Sequence, residues 1–172
     1  MELFDLYDHR RNPTGETTVR GNLVPSGRYR CVVHICLFNS AGRLLIQQRQ
    51  ANAPRWPDYW DVSAAGGVSS GETPQTAATR EVKEELGLDI DFSNAAPAFS
   101  VTFSEGFDDF FIISKDVDLA SLRLQPEEVQ AVRWATQDEI LAMIDDGRFI
   151  PYRKSLVDLL FFFRNHAGTH DI

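Results

Sequence analysis

An α+β fold is predicted by the order of elements along the 172 residues: short strands, one acidic helix, further strands, then two helices. Three observations carry that prediction. Residues 31–38, C-V-V-H-I-C-L-F, form a nearly unbroken apolar run of strand length, as a strand covered on both faces requires. Residues 74–86 have helical periodicity, with Glu81, Glu84 and Glu85 on one face and Ala78, Val82 and Leu86 on the other. Strands and helices do not alternate regularly, which sets aside a purely parallel, doubly wound sheet. The length suits a single domain, residues 1–172, and no linker, repeat or low-complexity segment divides it.

Residues 1–30 combine short extended segments with turn signals at Asn12-Pro13-Thr14-Gly15, Arg20-Gly21-Asn22 and Pro25-Ser26-Gly27. They read as a peripheral β arm: a solvent-exposed flap, a homodimer contact or a substrate lid. His34, within the buried strand, is expected to be a satisfied core or cavity-wall histidine, because no other ligand type lies near it in sequence. Asn39-Ser40-Ala41-Gly42 is a turn, and residues 44–49 form the return strand. The loop A-N-A-P-R-W-P-D-Y-W-D carries Trp56, Tyr59 and Trp60; Trp60 is expected to anchor in the core and to lead into a strand over 62–65. Strands over 98–103 and 110–114 are expected to flank a loop offering Glu105, Asp108 and Asp109, and a further strand covers 131–135. Thr136 with Glu139 three residues on is a capping-box pattern for a helix ending near Gly147. The last helix is expected over 151–164 with Leu156, Leu159, Leu160 and Phe163 inward, and the tail beyond it is expected to fray.

Lys and Arg number 17 against 25 Asp and Glu, a net charge of −8, which argues against polyanions such as nucleic acid or an anionic membrane as partners. The chain shows no long apolar run, and its start, M-E-L-F-D-L-Y-D, lacks the basic and apolar regions of a signal peptide. Cys31 and Cys36 fall on opposite faces of one strand and are unsuited to a mutual disulfide, so a reducing cytoplasm is the expected location.

The acidic face of helix 74–86 is the chemical signal. Three carboxylates at i, i+3 and i+4 repel one another, and nothing local neutralises them all. A bound cation explains such a cluster, and hard oxygen donors point to Mg2+ or Mn2+.

With Gly66, Glu72 and then R-E-V-K-E-E-L-G-L over 80–88 at fixed offsets, residues 66–88 resemble the Nudix box at every specified position. That resemblance implies a Nudix fold, a mixed β-sheet in an α/β/α sandwich behind the short N-terminal β arm. It also implies a hydrolase cleaving a phosphoanhydride bond in a nucleoside diphosphate or a nucleoside-diphosphate derivative. Carried over by position, Glu84 and Glu85 are metal ligands, Glu81 a ligand or the general base, and the carbonyl of Ala65 a further donor. Arg80 orients the glutamates, while Gly66, Glu72 and Gly87 are structural. An extra carboxylate from outside the box would come from Glu128, Glu105 or Asp109. Trp56, Phe103 and Phe107 are candidates to stack on a base or an apolar moiety, or equally to be core.

A narrower resemblance links L-F-N-S-A-G-R-L-L-I-Q-Q-R and W-P-D-Y-W-D-V-S-A-A-G-G-V to the Nudix branch containing isopentenyl diphosphate isomerase. That enzyme needs a cysteine, whose position here is Ala65, and metal-binding histidines, whose positions are Gly67 and Arg30. Without them a carbon-centred proton transfer lacks its donor, and the intact box favours hydrolysis. A non-catalytic nucleotide-sensing module is a third reading, set against by retention of all the box glutamates.

Overall fold

The computed structural model describes residues 2–166. The tail beyond 166 lies outside the described residues, so most of the expected fraying does too. The arm is a two-stranded antiparallel ribbon, β1 (Leu3–Tyr7) on β2 (Pro13–Val19). At the centre of the main sheet is β3 (Arg30–Phe38), which pairs antiparallel with β6 (Ala64–Gly67) and parallel with β8 (Gly106–Ser114). Beyond β8 lies β7 (Phe99–Phe103), antiparallel to it. The other half is built on β4 (Leu44–Arg49), flanked by β9 (Val129–Ala135) and the two-residue β5 (Trp60–Asp61), and joined to β3 at Phe38 and Leu44.

Both faces of β3 are covered, as its unbroken apolar run requires. Val33, Ile35 and Leu37 pack with Ala77, Ala78, Val82 and Leu86 of α1 (Pro74–Leu86). Cys36 and Phe38 pack on the opposite face with Ile140 and Met143 of α2 (Gln137–Asp145) and Val157, Leu160 and Phe161 of α3 (Lys154–Phe163). The result is an α+β sandwich around a mixed sheet. Each fully buried Leu, Ile or Phe in these layers contributes about 1.5–3 kcal/mol of transfer free energy, so the two clusters hold the sheet between the helices. Cys31 and Cys36 are buried, free thiols in different clusters.

Helix α1 has the bounds its periodicity predicts. Thr73 caps it by accepting the Thr76 N–H at 3.2 Å, Pro74 occupies the first turn, and Gly87 ends it in the left-handed region with φ 71. Thr136 and Glu139 form the expected capping box on α2.

Three expectations need correction. The strand over 62–65 is interrupted because Ser63, fully buried, bridges two strands: its hydroxyl donates to the Leu45 carbonyl at 2.6 Å and accepts the Leu37 N–H at 2.8 Å. The chain thereby steps from pairing with β4 to pairing with β3. The loop expected between β7 and β8 shrinks to a turn at Ser104 and Glu105, with Phe103 opposite Gly106, so residues 106–109 are strand. Helix α3 starts at Lys154 and docks through Val157, Leu160 and Phe161, spaced i, i+3 and i+4; Leu159 points outward at 42% exposed. Among the described residues no helix is long and apolar enough to cross a membrane.

Candidate active site

Helix α1 is anchored by its apolar stripe, which turns Glu81, Glu84 and Glu85 toward the glycine-rich turn that precedes it. The three carboxylates are not equivalent. Glu84 is half exposed, whereas Glu81 and Glu85 are buried, at 7% and 1% exposure. Glu85 accepts hydrogen bonds from Gln47 Nε2 at 2.9 Å and from the Ala65 N–H at 3.2 Å, both on Oε2. Burial pushes its carboxyl well above the ordinary range, with the charges of Glu81 and Glu128 adding to the push and the two hydrogen bonds opposing it. Burial also raises Glu81, to about 7, against the pull of Arg80 and with help from Glu84 and Glu128.

Arg80 is the hub of this edge. Its Nη1 donates to Glu81 at 2.7 Å and Glu84 at 3.1 Å, while Nε and Nη2 grip the two oxygens of Glu72 at 2.9 and 3.0 Å. Its last N–H reaches the Gly67 carbonyl at 3.0 Å. Glu72 in turn accepts the Ser69 N–H at 3.0 Å, so turn and helix are locked through one guanidinium. Burial opposes ionisation of Glu72, but the Arg80 and Ser69 hydrogen bonds hold its carboxyl below the usual range. Gly66 lies directly under Glu81, and a Cβ there would overlap its carboxylate. At Gly87 the positive φ and the neighbouring Arg123 both exclude a side chain.

A pocket of ≈ 270 Å³ opens beside these groups, lined by Arg80, Glu81, Glu84, Ser69 and Glu128, together with Glu2 and Arg20 of the arm. Of the three extra carboxylates named from spacing, the structure brings Glu128 to the pocket. Glu105 stands at the β7–β8 turn, where its carbonyl accepts the Arg30 N–H at 3.0 Å. Asp109 is buried in an ion pair with Arg11 Nη2 at 2.6 Å. Of the aromatics expected either to stack on a ligand or to be core, Phe107 is core. Phe107 is 2% exposed inside the core beneath α1, because the strand begins at Gly106 and alternation turns residue 107 inward. It has no free face for a ligand. Phe103 is partly covered by the Arg30 guanidinium, 5.9 Å from its centroid. Trp56 is 43% exposed, in a loop where its φ is 52, and neither it nor Phe103 lines the pocket. Trp60 packs against the second core cluster, as expected.

Glu2, Arg20 and Gln47 escaped the sequence reading. Glu2 and Arg20 reach the site only through strand pairing of the arm, and no local spacing signals that. Gln47 offered no sign of its own, since it opens the polar half of β4, Gln47-Gln48-Arg49.

Among the described residues, no three carboxylate, imidazole or thiol groups converge as a ready metal cage. Arg80 holds Glu81 and Glu84, and Gln47 holds Glu85. The donor set nevertheless suits a hard dication: it is all carboxylate, two members are buried, and burial with neighbouring carboxylate charge raises the proton affinity of Glu81 and Glu85. The bare backbone at Gly66 lets the Glu81 carboxylate lie against the turn, in space a side chain would fill.

Residues 28–155 match the NUDIX domain family. The chain belongs to this family. An uncharacterized Nudix hydrolase of Listeria monocytogenes is 47% identical over 170 residues, covering 99% of each chain. A crystal structure of a Deinococcus radiodurans protein superposes with a TM-score of 0.74 at 27% identity, covering 92% of this chain and 97% of that one. An isopentenyl-diphosphate Delta-isomerase of Brevibacterium linens is 31% identical over 156 residues, covering 84% of this chain and 82% of the isomerase. The chain is thus a Nudix hydrolase with detectable kinship to the isomerases. At Gly67, where the isomerase resemblance would expect a histidine, a Cβ would run into the ring of Phe4 from the arm. The space an imidazole would need is filled by the arm.

Proposed function

We propose that this Nudix hydrolase uses Mg2+ or Mn2+ to cleave a phosphoanhydride bond of a nucleoside diphosphate or a nucleoside-diphosphate derivative. The observation that carries the reading is the crowding of carboxylates beside α1: on top of burial, Glu84 and Glu128 raise the proton affinity of Glu81, Glu81 and Glu128 raise that of Glu85, and Arg80 alone does not balance them. Glu84 and Glu85 would hold the metal, with Glu81, Glu128 and the Ala65 carbonyl as further oxygen donors. When bound, the ion would screen the phosphate oxygens and lower the pKa of an attacking water. Arg80 keeps Glu81 and Glu84 aligned through its two Nη1 hydrogen bonds. Glu81, whose proton affinity lies near neutrality, is placed to take a proton if the metal leaves it free.

Isomerase chemistry is disfavoured by the absence of a thiol at residue 65 and by Phe4 over Gly67. The deciding experiment is a phosphate-release screen over nucleoside diphosphates, nucleotide sugars, dinucleoside polyphosphates and isopentenyl diphosphate, with and without Mg2+. Hydrolysis that vanishes on chelation and in Glu84→Gln supports the reading. Full activity in that variant, or an allylic product from isopentenyl diphosphate, would overturn it.

A further inference from the structure

The pocket has two cations on its walls, Arg80 and Arg20, and they differ in what they have left to give. Arg80 has committed all of its N–H groups: Nε and Nη2 to Glu72, Nη2 also to the Gly67 carbonyl, and Nη1 to Glu81 and Glu84. It has nothing to offer a phosphate. Arg20 is 61% exposed and, among the described residues, makes one side-chain hydrogen bond, from Nη1 to Glu2 Oε2 at 2.8 Å. Its Nε and Nη2 donors face no protein acceptor among those residues.

The place of Arg20 is built rather than incidental. Its N–H donates to the Glu2 carbonyl at 2.9 Å, and the Leu3 carbonyl accepts the Ser70 N–H at 2.7 Å, which stitches β1 to the glycine-rich turn. Ser69 Oγ reaches Glu2 Oε1 at 3.2 Å, and Asp5 accepts from Ser70 Oγ at 2.6 Å and from the Gly71 N–H at 3.0 Å. Phe4 seats against Gly67. The arm therefore moves with the turn that carries the site.

We infer that Arg20 is a substrate-binding residue, which takes phosphate oxygens of the diphosphate after exchanging Glu2 for them. This rests on the hydrolase reading above. An exposed Arg–Glu pair contributes little, so the exchange costs little, and a planar guanidinium can grip a phosphate through two parallel N–H donors. Glu2 holds the side chain at the pocket mouth until substrate arrives. The arm is then part of the active site.

The test uses methylenediphosphonate with Mg2+, a diphosphate core that cannot be hydrolysed, and calorimetry on the full chain. Arg20→Ala should weaken binding by about 10- to 100-fold, the effect of losing charge-assisted hydrogen bonds. Arg20→Lys should recover part of it, and Glu2→Gln should bind as tightly as the wild type or more so. Melting temperatures of all three should stay close to the wild type, since the pair is exposed. Wild-type binding in Arg20→Ala overturns the assignment alone, as does a loss in Glu2→Gln equal to that in Arg20→Ala, which would make the pair merely structural. A wild-type protein that does not bind the Mg2+ probe overturns the metal-dependent diphosphate reading and this inference together.

Discussion

Two polar clusters lie on opposite sides of the main sheet, and they are balanced differently. On the α3 side, His34 Nε2 lies 3.1 Å from Asp108 Oδ1, and its ring stacks on Phe110 at 4.5 Å. Tyr152 donates to Asp61 at 2.8 Å, and Asp61 also receives weak support from Arg49 at 3.8 Å. Burial, then the charge of Asp61, drives the Tyr152 phenol upward, so it stays a neutral donor. Acceptors there meet donors. On the α1 side, Glu81, Glu85 and Glu128 face one another with Arg80 already divided among several partners. Gln47 Oε1 is buried there without a hydrogen-bond partner. A closed network belongs to folding, whereas an open, one-signed cluster calls for something from outside.

The largest break in that comparison is Glu85→Gln. Hydrolysis should fall by roughly two to three orders of magnitude, the scale of losing one electrostatic contributor to a transition state. The metal-free variant should melt no lower than the wild type at pH 8, because a buried, poorly compensated charge has gone. Lost activity together with a lowered melting temperature would mean that Glu85 is a structural residue. Next comes Gly66→Ala, whose new methyl overlaps the Glu81 carboxylate. It should cost about tenfold or more in activity while leaving the far-UV spectrum unchanged; wild-type activity would show that Glu81 need not stay where it lies.

The third prediction concerns pH. The folded Glu81 holds its proton up to about 7 against an ordinary value of 4.5, so the native state binds more protons than the unfolded one between those values. Stability of the metal-free protein therefore falls as pH rises through that window, by on the order of 3 kcal/mol for Glu81 alone. Mg2+, which favours the ionised carboxylates, should raise the melting temperature more at pH 8 than at pH 5. An equal rise at both values would remove the coupling. The smallest effect belongs to the balanced cluster. Tyr152→Phe leaves Asp61 one donor short and should cost about 1–3 kcal/mol in urea unfolding, while kcat changes less than about threefold. A large loss of kcat would place that network in the chemistry after all.

Local order is legible in the sequence. The repeat spacing of α1, its end at Gly87, the capping box at Thr136 and the two covered faces of β3 are each set by residues within a few positions of one another. So is the box itself, because one helix and the turn before it hold Gly66, Glu72, Arg80 and the glutamates together. Those are interactions of short range, and periodicity encodes them.

The tertiary structure alone decided the rest. That Glu128 lines the pocket while Glu105 and Asp109 do not depends on where β9 and β8 lie in the sheet, and pairing partners far apart in sequence leave no spacing to count. Phe107 is core because β8 begins at Gly106 and not at residue 110, which sets Phe107 in the strand on the same face as Phe111. The N-terminal arm carries no mark in its own sequence of the turn it is stitched to. Only its pairing there puts Phe4 over Gly67 and Arg20 at the pocket. The chemistry of the box is thus a property of 23 consecutive residues, while the walls around it come from segments that only folding brings near.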